Sequence, residues 1–226
     1  MFVGHLGLAL AAKRLAPRTS LGTLVVATSL VDLLWPLLLL AGVERVRIAP
    51  SPNPFLALEF ESYPVSHAAL LVALWAAAFA AAYLARTRYP RGAAVAGALV
   101  ASHWLLDAVS HRPDLPVWPG GPKVGLGLWG SVPAAVAVEL VIFAAGLALY
   151  AGSTRARDAL GRWGLVGWAA LLLLVYAGSF LGPPPPSVGA IAVANLLGGA
   201  LTVAWAAWLD RHRDPASAPA AAPGGA

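Results

Sequence analysis

The stretch GAAVAGALVASHWLLDAVSH, residues 92–111, decides the fold. Wound as a helix at about 1.5 Å per residue it reaches roughly 30 Å, the thickness of a bilayer's hydrocarbon core. Arg91 and Arg112 flank it, and no Lys or Arg lies inside it. Working outward, comparable apolar runs occupy residues 21–42, 65–85, 131–152, 163–182 and 188–209. Residues 1–12 are apolar as well and end at Lys13-Arg14. They are too short for a crossing but long enough for a helix that reaches partway in. A cleaved signal peptide carries its positive charge before the apolar run, whereas here the charge follows it. The expected fold is an all-α, polytopic transmembrane bundle of about six spans plus a short membrane-inserted N-terminal helix.

Composition supports this reading. Hydrophobic residues make up 59% of the 226 and charged residues only 11%, with a mean hydropathy of +0.75, which excludes an ordinary soluble enzyme. The absence of cysteine excludes disulfides, thiolate metal sites and Cys nucleophiles. A net charge of +5 invites a nucleic-acid partner. The basic residues, however, sit in small groups between apolar runs, as charges that set membrane orientation do, so the bilayer is the expected partner and nucleic acid is not.

Those groups alternate. Lys13, Arg14, Arg18, Arg86, Arg88, Arg91, Arg155, Arg157, Arg162, Arg211 and Arg213 fall on one side, eleven against the four of Arg45, Arg47, Arg112 and Lys123. The positive-inside bias therefore predicts a cytoplasmic C-terminus in an inner or plasma membrane, with the loops at residues 43–64 and 112–130 outside. Residues 1–152 hold the candidate site, residues 153–213 add two accessory helices, and the Pro/Ala/Gly-rich residues 214–226 form an expected unstructured tail.

A carboxylate at the middle of a spanning helix costs about 2.5 to 3.5 kcal/mol, yet Asp32, Asp107 and Glu139 all lie inside apolar runs. His5, His67, His103 and His111 lie in the same runs or at their ends. The sharpest pattern is His103, Asp107 and His111 at i, i+4 and i+8, which on a regular helix share one face with Cβ atoms about 5 to 6 Å apart between neighbours. Such a stripe can hold a divalent cation, or it can form a hydrogen-bonded polar seam between helices. Each residue has a plain alternative: His5 packing in a short helix, Asp32 bonding groups freed by Pro36, His67 starting a helix capped by Ser66 or Ser62. Glu139 has the weakest alternative, because no neighbouring span offers it a Lys or Arg. Trp118, Trp129, Trp163, Trp205 and Trp208 read as interfacial anchors.

Gly4-His5, the Asp32 segment ending in Trp35-Pro36, Ser66-His67, the HxxxD of His103 and Asp107, His111, and Gly125-Leu126-Gly127-Leu128-Trp129-Gly130-Ser131 leading to Glu139 together resemble a known family. It is the LexA-binding, inner-membrane-associated metal-dependent hydrolases, and the likeness covers residues 1 to about 150. That family is in turn similar to zinc-dependent phospholipase C and P1 nuclease, all-helical enzymes with a cluster of metal ions. The resemblance implies that Asp32, His67, His103 and Asp107 hold one metal. Asp107 would bridge to a second metal reached by His5, and His111 and Glu139 would serve a further site. The chain departs from the secreted enzymes in lacking an N-terminal Trp and a His shortly before Glu139.

The expected function is that of an integral membrane hydrolase holding one to three divalent ions, zinc first among them. It would act on a phosphoester of a lipid or lipid-like molecule, with Asp32 or Glu139 as general base and the site open to the extracytoplasmic side. Two other classes stay open at this point: a proton or metal-ion transporter or channel using the same side chains, and a structural membrane protein with a polar core.

Overall fold

The computed structural model describes residues 1–49 and 51–216. Seven helices dominate it: α1 (Val3–Leu15), α2 (Leu21–Leu40), α3 (Ala69–Thr87), α4 (Pro90–Ser110), α5 (Val132–Ser153), α6 (Ala159–Leu181) and α7 (Val188–Leu209). The last six are long and apolar enough to cross a membrane, and α1, with 13 residues, is not. The protein is thus an all-α, multi-pass membrane bundle. Helix starts follow local chemistry: the side chains of Ser20, Asp158 and Ser187 accept from backbone N–H groups in the first turns of α2, α6 and α7. Proline stands in the first turns of α4 and α5, where its missing N–H has no helical partner to lose.

Three short antiparallel ribbons occupy the connections. β1 (Arg45–Ile48) pairs with β2 (Leu58–Ser62), β3 (Leu115–Pro116) with β4 (Lys123–Val124), and β5 (Thr154–Ala156) with β6 (Arg213–Pro215). Loop backbone cannot find helical partners, and these ribbons supply them. The third ribbon orders Asp214 and Pro215, which the sequence reading places in the unstructured tail; residues 217–226 lie outside the described residues.

α1 is the centre of the bundle. It packs most extensively on α5 and also touches α2 and α4. Its close seat on α5 depends on two glycines: a Cβ at Gly146 would come 2.0 Å from the Gly7 carbonyl oxygen, and one at Gly7 would come 2.6 Å from that of Ile142. Small residues of this kind let membrane helices approach backbone to backbone, where association rests on van der Waals contact. α2 packs on α7 and α4, and α3 lies against α4.

The two ends of the bundle differ chemically. At one end the buried Lys13 ammonium donates to the Thr19 carbonyl at 2.8 Å and to Asp210 at 2.9 Å, joining α1 to the end of α7. Arg18 lies over the Tyr89 ring, Thr19 bonds Tyr83, and Arg213 donates to Thr154. The segments bearing the eleven basic residues are thereby gathered at this end. The first two ribbons lie at the other. Between the ends runs an apolar core that includes Leu6, Leu10, Leu24, Val25, Leu99 and Val100, all buried.

Candidate metal centre

α4 carries His103 and Asp107 one turn apart on its buried face. α2 brings Asp32, α1 brings His5, and the turn before α3 brings His67. Pro36 deprives the Asp32 carbonyl of its usual helical donor, but the Asp32 side chain is not spent on that repair and turns to the histidines instead.

His103 Nε2 lies 3.5 Å from Asp32 Oδ1 and 3.2 Å from Asp107 Oδ2. His67 Nε2 lies 3.5 Å from Asp32 Oδ1 and 3.7 Å from Asp107 Oδ2. Ligands placed tetrahedrally at about 2.1 Å from a cation stand about 3.4 Å from one another, and the ligand atoms of Asp32, His67 and His103, all within 4.8 Å of one another, suit a common ion. The other oxygen of Asp107 faces away from His67 and His103. Its Oδ1 is 3.1 Å from His5 Nε2 and 2.6 Å from the Met1 amino group. His103 is common to the two donor groups, His5–His103–Asp107 and Asp32–His67–His103, and its ring stacks on that of His5 at 3.7 Å. This buried His/Asp cluster could hold a metal ion.

The histidines are oriented from behind, as metal-ligating histidines generally are. His103 Nδ1 bonds the Thr28 carbonyl at 2.7 Å, and the Thr28 hydroxyl donates to the His5 carbonyl at 3.1 Å. A neutral ring that donates Nδ1–H to a carbonyl presents a lone pair at Nε2. His103 Nε2 is buried and has no hydrogen-bond partner. His67 Nδ1 sits 2.6 Å from the Ser66 hydroxyl, which in turn lies 2.6 Å from Glu44 Oε2. Ser66 therefore does not cap α3, whose start lacks a side-chain cap.

Asp32 is the exposed member of the cluster. Its side chain is 40% exposed against 6% or less for His67, His103 and Asp107. It lines a cavity of about 70 Å³ with Met1, Trp35, Phe60, His67, Asp107, His111 and Trp129. Trp129, which the sequence suggests as an interfacial anchor, sets its ring 4.3 Å from His111.

Neither His111 nor Glu139 joins the donor groups among the described residues. α4 ends at Ser110, and His111 has extended backbone, so it leaves the face that His103 and Asp107 share. Its Nδ1 is 2.9 Å from Asp114, which also accepts from the Tyr63 hydroxyl and from Arg112. Burial alone would raise the Asp114 carboxyl; the bonds from His111, Arg112 and Tyr63 outweigh it and hold the group below its ordinary value. Gly125 lets the following loop pass tightly under this corner, since a Cβ there would lie 2.3 Å from the His111 carbonyl oxygen. Glu139 is buried on α5, and its Oε2 accepts from Phe2 N at 2.7 Å and Gly4 N at 3.2 Å. A carboxylate there satisfies otherwise unpaired N–H groups at the start of α1. In this structure Glu139 seats the helix that carries His5.

Sequence reading missed Glu44, Thr28 and Asp114. Glu44 and Asp114 lie in loops close to Arg45 and Arg112, positions indistinguishable in sequence from solvated charges. Comparison of the chain with models of known protein families, with characterised proteins and with solved structures returned no match.

Proposed function

We propose that the protein is an integral-membrane, metal-dependent hydrolase that cleaves phosphoesters of lipids or lipid-like molecules. The observation that carries this reading is His103 Nε2: a buried ring nitrogen without a hydrogen bond, facing the carboxylates of Asp32 and Asp107. An unpaired polar atom at such depth is expensive unless a cation takes the lone pair. Asp32, His67, His103 and Asp107 would hold one ion, and Asp107 with His5 a second. Zinc suits a set of neutral imidazoles and carboxylates. Ions there supply a Lewis acid that acidifies water and stabilises charge developing on a phosphoryl oxygen.

The chain's own residues do the rest. Asp32, open to the cavity, is placed to take a proton from water, while Glu139 is engaged by the start of α1. Trp35, Phe60 and Trp129 give the cavity an apolar wall suited to a lipid-like leaving group. The resemblance to the LexA-binding, inner-membrane-associated hydrolases supports hydrolysis over conduction. So does the apolar core that separates the cluster from the basic end, since an ion path needs polar groups through both halves. By the positive-inside bias the basic end is cytoplasmic and the cavity faces out.

The test is hydrolysis of lipid phosphoesters in mixed micelles by the zinc-loaded protein, read as loss of the intact lipid. Hydrolysis that falls at least a hundredfold in Asp32→Asn is expected. A zinc-loaded protein that cleaves none of them, yet moves protons or cations across proteoliposomes, would replace hydrolysis with transport.

A further inference from the structure

Glu44 follows α2 in an external loop, yet it is 1% exposed. A carboxylate so deep requires partners, and it has three. Oε1 accepts from Val65 N and Ser66 N, each at 2.8 Å, and Oε2 accepts from the Ser66 hydroxyl at 2.6 Å. The same hydroxyl oxygen lies 2.6 Å from His67 Nδ1. A hydroxyl has one proton. With that proton given to Glu44, Ser66 can meet His67 only as an acceptor, so Nδ1 must carry a hydrogen. A neutral ring protonated at Nδ1 has its lone pair on Nε2, the nitrogen that faces Asp32 and Asp107.

We propose that Glu44 is a positioning residue that acts through Ser66 to fix the proton on His67 Nδ1 and so keep His67 Nε2 available to the metal. This rests on the metal-centre reading for its purpose but not for its chemistry, because the chain of hydrogen bonds stands without an ion. Its consequence is specific. The two backbone N–H groups demand an oxygen at the Oε1 position, so Glu44→Gln must place its NH₂ where Oε2 stood. That NH₂ donates to Ser66 in place of accepting from it. The buried hydroxyl is left with His67 Nδ1 as its partner within hydrogen-bond distance, and donating there removes the Nδ1 hydrogen. Nearly the same shape thus yields the opposite polarity.

The experiment is ¹⁵N NMR of His-labelled, detergent-solubilised full-length protein without metal, paired with zinc affinity by chelator competition. Wild type should show His67 Nδ1 protonated, and Glu44→Gln should show it as a bare acceptor. Zinc affinity should fall 10- to 100-fold in Glu44→Gln, the range for lost outer partners of a ligand. Ser66→Ala, which removes the relay without reversing it, should weaken zinc less. A bare His67 Nδ1 in wild type overturns the proposal even if no variant folds, as does a Glu44→Gln protein with wild-type Nδ1 and wild-type affinity. A wild type with Nδ1 protonated that binds no zinc would leave the relay standing and refute the metal centre instead.

Discussion

His103 and Asp107 are the residues whose roles were most legible, because helical spacing alone puts i and i+4 on one face and a membrane gives neither a bland place to be. His111 was not legible in the same way. The pattern continues to i+8, but the helix does not, and the ring turns to Asp114. Glu139 was read as chemistry because no basic residue could pair with it; its partners are backbone N–H groups of α1, which spacing cannot announce. Two residue-level outcomes follow. His103→Ala should lose metal while keeping its helical circular dichroism. Asp114→Asn should destabilise the protein by about 1 kcal/mol at pH 7, where the ionised carboxylate accepts three hydrogen bonds. Because the folded Asp114 carboxyl sits below its unfolded value near 3.9, that stabilisation is complete above this pH and is lost as pH falls through the lower folded value. Thermal unfolding of both proteins at neutral pH and in strong acid checks it: a difference that persists unchanged in acid would remove the Asp114 carboxylate as its source.

At the scale of elements, all seven helices were readable from apolar runs between charges, with bounds within a few residues. The ribbons were not, since their pairing joins segments such as Thr154–Ala156 and Arg213–Pro215 that are distant in sequence and carry no alternating pattern. Nor could sequence tell that α1, the shortest helix, would be the most central. Its seat on α5 predicts that Gly146→Ala, with its Cβ driven against the Gly7 carbonyl, destabilises the bundle by about 1 to 3 kcal/mol. The displaced helix takes His5 with it. Metal analysis of this variant should show fewer ions bound than wild type, with the Asp32, His67, His103 and Asp107 group still loaded. An unchanged ion count would mean that α1 contributes no ligand. α7 supplies the opposite case: its Asn195 amide is spent on the Ile191 carbonyl of its own helix, so Asn195→Ala should leave metal content as it was.

The whole molecule joins a basic end to a metal-capable end across an apolar core, and the proposed activity depends on which end faces the cytoplasm. With no native cysteine, single Cys residues at Ser62, in the ribbon beside the cavity, and Ser153, at the basic end, report this directly. A membrane-impermeant thiol reagent applied to intact cells should label Ser62→Cys and spare Ser153→Cys; the reverse would move the cavity to the cytoplasmic side. The substrate class, and the purpose of the Glu44–Ser66–His67 relay, rest on the ion itself. The measurement that decides it is elemental analysis of the protein purified in detergent without chelators, beside Asp107→Ala. Wild type should carry at least one divalent ion per chain, with zinc foremost, and Asp107→Ala, which removes the carboxylate beside His5, His67 and His103, should carry none while remaining folded. A wild type free of divalent metal, or an Asp107→Ala protein that keeps the full complement, would contradict the metal centre and leave these five side chains a polar seam between helices.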